Sequence, residues 1–81
     1  MNEKSIAEIT WDYRIRQGLR MDQFGKALGV SKQAVSNWEK GEVKPSLETL
    51  MRAIRFSDWR ANWARDILDA FPYFYIKEGK K

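Results

Sequence analysis

The stretch "VSKQAVSNWEKG", residues 30–41, decides how this chain is read. On a helical wheel at about 100° per residue, with Gln33 at zero, Asn37 falls near 40°, Lys40 near 340° and Ser36 near 300°. Ala34, Trp38 and Val35 fall at roughly 100°, 140° and 200°. One side is apolar, and the other carries amide, hydroxyl and ammonium groups. Ser31 suits the N-cap of such a helix, and Gly41 suits its end. So short a helix is not stable alone. It has to dock Ala34, Val35 and Trp38 on the rest of the chain, and that docking turns the polar row outward. Trp38, an aromatic among basic residues, could stack on a base; its place beside Val35 assigns it to the core instead.

The preceding segment, "MDQFGKAL" at 21–28, is a second short helix with Phe24, Ala27 and Leu28 on one stripe. Gly29 ends it in a left-handed turn. Gly25 lies inside it, where Gly costs about 0.8–1 kcal/mol relative to Ala, so another backbone is expected to pack closely there. Two short helices joined by the tight turn "GVS" form a helix-turn-helix unit. In that unit the second helix enters the DNA major groove. Gln and Asn pair with adenine, Lys favours guanine acceptors, and Ser is permissive.

Further out, "SIAE" at 5–8 is a capping box for a first helix running to about Gln17 and stopping at Gly18. Ile6, Ile9, Tyr13 and part of Ile15 face inward. Ser46 caps a fourth helix, "LETLMRAI", with Leu47, Leu50, Met51 and Ile54 inward. Ser57 or Asp58 caps a fifth, "WRANWARDILDAF", with Trp59, Trp63, Ile67 and Ala70 or Phe71 on its stripe. Pro72 stops that helix from continuing into "PYFYIKEGKK", and the alternation over 73–76 permits a short strand. The expected fold is all-α: a compact five-helix domain that contains the helix-turn-helix unit and ends in a C-terminal aromatic tail. Residues 1–57 form the DNA-binding core with four helices, and 58–81 the last helix and tail of the same domain.

The composition narrows the function classes. The chain has 81 residues, no Cys and no His. That excludes a disulfide framework, a thiolate nucleophile and the usual general base. With no paired carboxylates in an apolar cleft pattern either, an enzyme is not expected, and no cofactor or metal is implied. There is no 18-residue apolar run, and "MNEKSIAEIT" lacks an apolar signal core. A cytoplasmic protein with no membrane partner is expected. Seven basic residues lie between Tyr13 and Lys44 (Arg14, Arg16, Arg20, Lys26, Lys32, Lys40, Lys44) against three acids, Asp22, Glu39 and Glu42. That excess of four equals the net charge of the whole chain, and a local basic patch suits a polyanion.

The run "LRMDQFGKALGVSKQAVSNWEKGEVKPSLETLMRAI", residues 19–54, resembles the Cro/phage repressor-type (Xre-like) helix-turn-helix family. The matching marks are Gly25, the "LGVS" turn, Val35, the "WEKG" ending and the "KPSLETL" start of the next helix. The resemblance covers about residues 6–56. It implies a sequence-specific, double-stranded DNA-binding transcriptional regulator, a small repressor of phage or mobile-element type on a two-fold operator. The alternative it leaves open is an antitoxin or adaptor-like protein-interaction module on the same fold. By position, it implies base contacts from Lys32, Gln33, Ser36 and Asn37. It places Arg20, Met21, Lys40 and Lys44 at phosphate-contacting positions and makes Arg14 and Glu39 a structural salt bridge. Three positions depart from the family's pattern, two of them adjacent: Arg20 and Met21 stand where relatives usually carry Ser or Thr followed by Gln. That Gln helps fix a phosphate and braces the recognition helix, and Met21 does neither by hydrogen bonding. Thr10 stands where relatives usually have a larger apolar residue.

The aromatic end has two readings. Trp59, Trp63, Phe71, Tyr73, Phe74, Tyr75 and Ile76 either complete the core or form an interface. Family members generally bind two-fold operators as dimers, with half-sites about 34 Å apart. The expected partners are therefore double-stranded DNA, a second copy of the chain through Trp59, Trp63, Phe71, Tyr73, Phe74 and Tyr75, and a possible protein partner through the same segment.

Overall fold

The computed structural model describes residues 4–79, with side chains through Tyr75. Among these residues there are six helices and no strand: α1 (Ile6–Arg16), α2 (Met21–Leu28), α3 (Lys32–Glu39), α4 (Leu47–Ile54), α5 (Trp59–Ala70) and α6 (Pro72–Gly79). The chain divides into two compact units, one ending at Pro45 and one starting at Ser46.

In the first unit, α3 is the central element, packed by both α1 and α2. The capping box of α1 is complete. The Glu8 N–H donates to Ser5 Oγ at 3.1 Å, and the Ser5 N–H donates to Glu8 Oε1 at 2.9 Å. Ile6, Ile9 and Thr10 are buried, and Tyr13 is half-buried with the Arg16 guanidinium 5.2 Å over its ring. Ile15 is exposed, contrary to the expected partial burial. Nine positions from Ile6 is about 180° around the helix, so a face that buries Ile6 and Ile9 turns Ile15 to water. Thr10 is fully enclosed. No buried side-chain nitrogen or oxygen among the described residues lacks a partner, so its hydroxyl is satisfied without a bulkier apolar residue there. Phe24, Gly25, Leu28, Val35, Trp38 and Pro45 complete the buried set.

In the second unit, α4 packs on α5 and α5 on α6. Ser46 caps α4 through its Oγ, which accepts from the Thr49 N–H at 3.1 Å. Asp58, not Ser57, caps α5 and accepts from the Arg60 N–H at 3.0 Å. The inward stripe of α4 is Thr49, Leu50 and Ala53, with Leu47 and Ile54 half-buried. Met51 is 52% exposed, which corrects its expected inward position. Burial centred on Leu50 and Ala53 puts Met51 about 100° off the stripe. On α5 the buried residues are Ala61, Trp63, Ala64 and Ile67, while Trp59 is half-buried.

The expected non-helical tail is instead α6, and the strand permitted at 73–76 does not form. Pro72 explains both halves of this outcome. It cannot extend α5, whose last turn closes with the Phe71 N–H on Ile67 O at 2.9 Å. At the first position of a new helix, however, its missing N–H is no loss and its fixed φ is already helical. Phe71 and Phe74 stack at 5.4 Å, and Tyr75 is buried. The side chain of Ile76 lies outside the described residues.

Candidate nucleic-acid interface

The first unit builds a surface around α2, its turn and α3. At the start of α2, the Arg20 N–H donates to Gln23 Oε1 at 2.8 Å. The Arg20 guanidinium reaches Asp22 at 3.1 and 3.3 Å. That hydrogen bond and the guanidinium charge hold the Asp22 carboxyl below its ordinary range. Arg20 is exposed and Met21 half-buried.

The turn is set by backbone geometry. Gly29 adopts φ 77° and ψ 28°, a left-handed conformation that only Gly reaches without steric cost. Its N–H donates to Lys26 O at 3.3 Å, and the Val30 N–H donates to Gly25 O at 2.8 Å, the paired bonds of a Schellman ending. The same pair of bonds closes α1 at Gly18 and Leu19, and α3 at Gly41 and Glu42. The chain leaving the turn crosses directly over Gly25. A Cβ on Gly25 would sit 2.7 Å from Val30 O and 3.0 Å from Ser31 O. The expected close backbone approach is therefore present, and it sets α3 tightly against α2.

Ser31 starts α3, its Oγ accepting from the Ala34 N–H at 3.1 Å. Val35 and Trp38 are buried and Ala34 is half-buried, so the apolar side faces the unit. Lys32 and Gln33 are exposed, while Ser36 and Asn37 are half-buried. Gln33 Nε2 donates to Asn37 Oδ1 at 3.0 Å, which ties together two of the four proposed base readers. This bond was not foreseen from the residues, although the spacing of four between two amides is a signal that could have found it. Lys40 caps the end of α3, and Lys44 follows in the loop; both are exposed.

Arg14 and Glu39, 25 positions apart, hold α1 to α3. Arg14 Nε donates to Glu39 Oε2 at 2.7 Å and Nη2 donates to Oε1 at 3.0 Å. Nη1 also donates to Leu19 O at 3.1 Å. The side chains are only 13% and 7% exposed. The bond to Glu39 raises the Arg14 guanidinium above its usual range, and burial opposes this. Arg16, whose guanidinium lies over the Tyr13 ring, Lys26, Lys32, Lys40 and Lys44 also fall between 13 and 44.

Of the residues expected at an interface between copies, Trp63 and Tyr75 are buried in the chain, and Trp59 and Phe71 are half-buried. Tyr73 and Phe74 are 77% and 47% exposed. Among the described residues, no helix is long and apolar enough to cross a membrane.

A family model described as helix-turn-helix matches residues 12–56, more than half of the chain. Neither curated proteins nor solved structures include a match.

Proposed function

The chain belongs to the Cro/C1-type, Xre-like helix-turn-helix family of DNA-binding transcription regulators, and from that premise we propose that it is a small repressor of phage or mobile-element type acting on a two-fold operator. The observation that carries this reading is the orientation of α3. Burial of Val35 and Trp38 leaves Lys32, Gln33, Ser36 and Asn37 as one polar face on a rigidly set helix. In the proposed complex that face lies in the major groove. Gln33, Asn37 and Ser36 read base edges, and Lys32 reaches a base or the adjacent phosphate. Arg20, Lys40 and Lys44 hold phosphates. Met21, at a phosphate-contacting position by resemblance, contributes only apolar contact there. Repression follows from occupancy: phosphate contacts supply salt-dependent affinity, and base contacts supply selectivity.

Dimerisation is the second element of the proposal. It is supported by Tyr73 and Phe74, neighbouring large aromatics on α6 left open to solvent. The same two residues also favour, as an alternative, an antitoxin or adaptor-like protein contact. Binding selection on random duplex DNA tests the whole reading. An inverted-repeat consensus is expected. Selection of no sequence at all would refute the DNA-reading role, and a single unrepeated half-site would refute the two-fold operator.

A further inference from the structure

The amide pair on α3 has an internal asymmetry. Asn37 is half-buried and sits near the end of the helix, where its backbone carbonyl accepts from the Glu42 N–H at 3.0 Å. Gln33 is exposed, one turn toward the N-terminus, and its long side chain has three rotatable bonds to order. The bond from Gln33 Nε2 to Asn37 Oδ1 at 3.0 Å therefore joins a mobile reader to a more fixed neighbour. A Gln amide carries one acceptor oxygen and two N–H donors. With one N–H committed to Asn37, one acceptor and one donor remain. That is the complement of adenine's major-groove edge, which offers an N6–H donor and an N7 acceptor. Guanine offers two acceptors at that edge and leaves the Gln oxygen unmatched.

We infer that Asn37 is a positioning residue for Gln33: it fixes the Gln33 amide so that this side chain selects adenine, and the two act as one coupled reader rather than as two independent ones. The inference rests on the DNA-reading role proposed above and adds to it a named base and a dependence between two positions. The chain thereby supplies from within α3 the support for its first reader, at a surface where Met21 on α2 offers no hydrogen bond.

The test is binding of the full chain to its selected duplex, with all four base pairs substituted in turn at the position where Gln33→Ala abolishes preference. The wild-type chain is expected to prefer adenine there by about tenfold or more. Asn37→Ala is expected to reduce that preference to within about threefold. Adding Gln33→Ala to Asn37→Ala should then change nothing further at that base pair. Asn37→Asp keeps the acceptor oxygen in place. It should restore the adenine preference even though its negative charge weakens binding to every sequence. The coupling is overturned if Asn37→Ala leaves the preference intact, if the two substitutions add, or if Asn37→Asp fails to restore it while melting like the wild type. A wild-type chain that selects no sequence overturns the DNA-reading role itself, and the coupling with it.

Discussion

Arg14 on α1 grips Glu39 on α3 through two hydrogen bonds of 2.7 and 3.0 Å, across 25 positions of sequence and with little of either side chain exposed. The recognition helix is thus anchored at its C-terminal end by a charge pair and near its N-terminal end by the backbone contact at Gly25. Glu39→Ala leaves the Arg14 guanidinium enclosed without its counter-ion, at a cost of about 3 kcal/mol. Replacing both partners together with apolar residues (Arg14→Met with Glu39→Leu) should recover much of that loss. Urea unfolding of the two single variants and the double variant measures this; additive losses would refute a coupled pair.

Gly25→Ala introduces a methyl group 2.7 Å from a backbone oxygen. The gain of about 0.8–1 kcal/mol in helix propensity is outweighed by strain of roughly 1–3 kcal/mol from overpacking. Thermal unfolding should show a lower Tm, and an unchanged or raised Tm would mean the turn yields easily. The same variant should bind DNA more weakly, because the turn that sets α3 has moved.

Lys44→Ala should weaken binding to all duplexes alike and lower the slope of log affinity against log salt by about one. Titrations at several salt concentrations, on selected and unrelated DNA, read both quantities. A sequence-dependent loss would instead make Lys44 a base reader.

Acidification should destabilise the second unit through Asp58. The Arg60 guanidinium, bonded at 3.0 and 2.7 Å, and the Arg60 N–H hold this carboxyl below the usual carboxylate range. Its folded-state value is therefore depressed relative to the unfolded one. The stabilisation is complete above about pH 4, the ordinary carboxylate value, and is lost as pH falls through the lower, folded-state value. Asp58→Asn keeps a capping oxygen but has no proton to gain. Its Tm is expected to fall less steeply below about pH 4 than that of the wild type, and parallel curves would count against this role.

Tyr73→Ser with Phe74→Ser should convert a dimer to a monomer in sedimentation equilibrium; because Phe74 also stacks on Phe71 while Tyr73 is 77% exposed, Tyr73→Ser alone should weaken the dimer with helix content unchanged in circular dichroism. If the wild-type chain is itself monomeric to high micromolar concentration, with and without DNA, the homodimer is refuted.

Local rules carried the reading of this chain a long way. Ser5, Ser31 and Ser46 cap their helices as their side chains dictate, because a cap is a bond between residues three apart. The turn at Gly29 is equally local, since a left-handed residue after an apolar stripe has few alternatives to Gly. Ile15 and Met51 were less legible. Ile15 lies opposite the buried face of α1 and Met51 beside that of α4, and which face is buried depends on what a neighbouring helix covers. Pro72 ends α5 as expected, but it also begins α6, and periodicity over eight residues did not reveal that second helix.

The helix-turn-helix and the polar row on α3 were present in residue order, because helical periodicity and glycine turns are properties of a few adjacent residues. The pairing of Arg14 with Glu39 was implied by the resemblance and the close approach at Gly25 by a glycine inside a helix; the folded chain supplied their distances. It alone showed the enclosure of Trp63 and Tyr75 beside the open Tyr73 and Phe74, a matter of which surfaces neighbours cover. Only packing decides those, because burial is a property of the assembled elements and not of the residue that is buried.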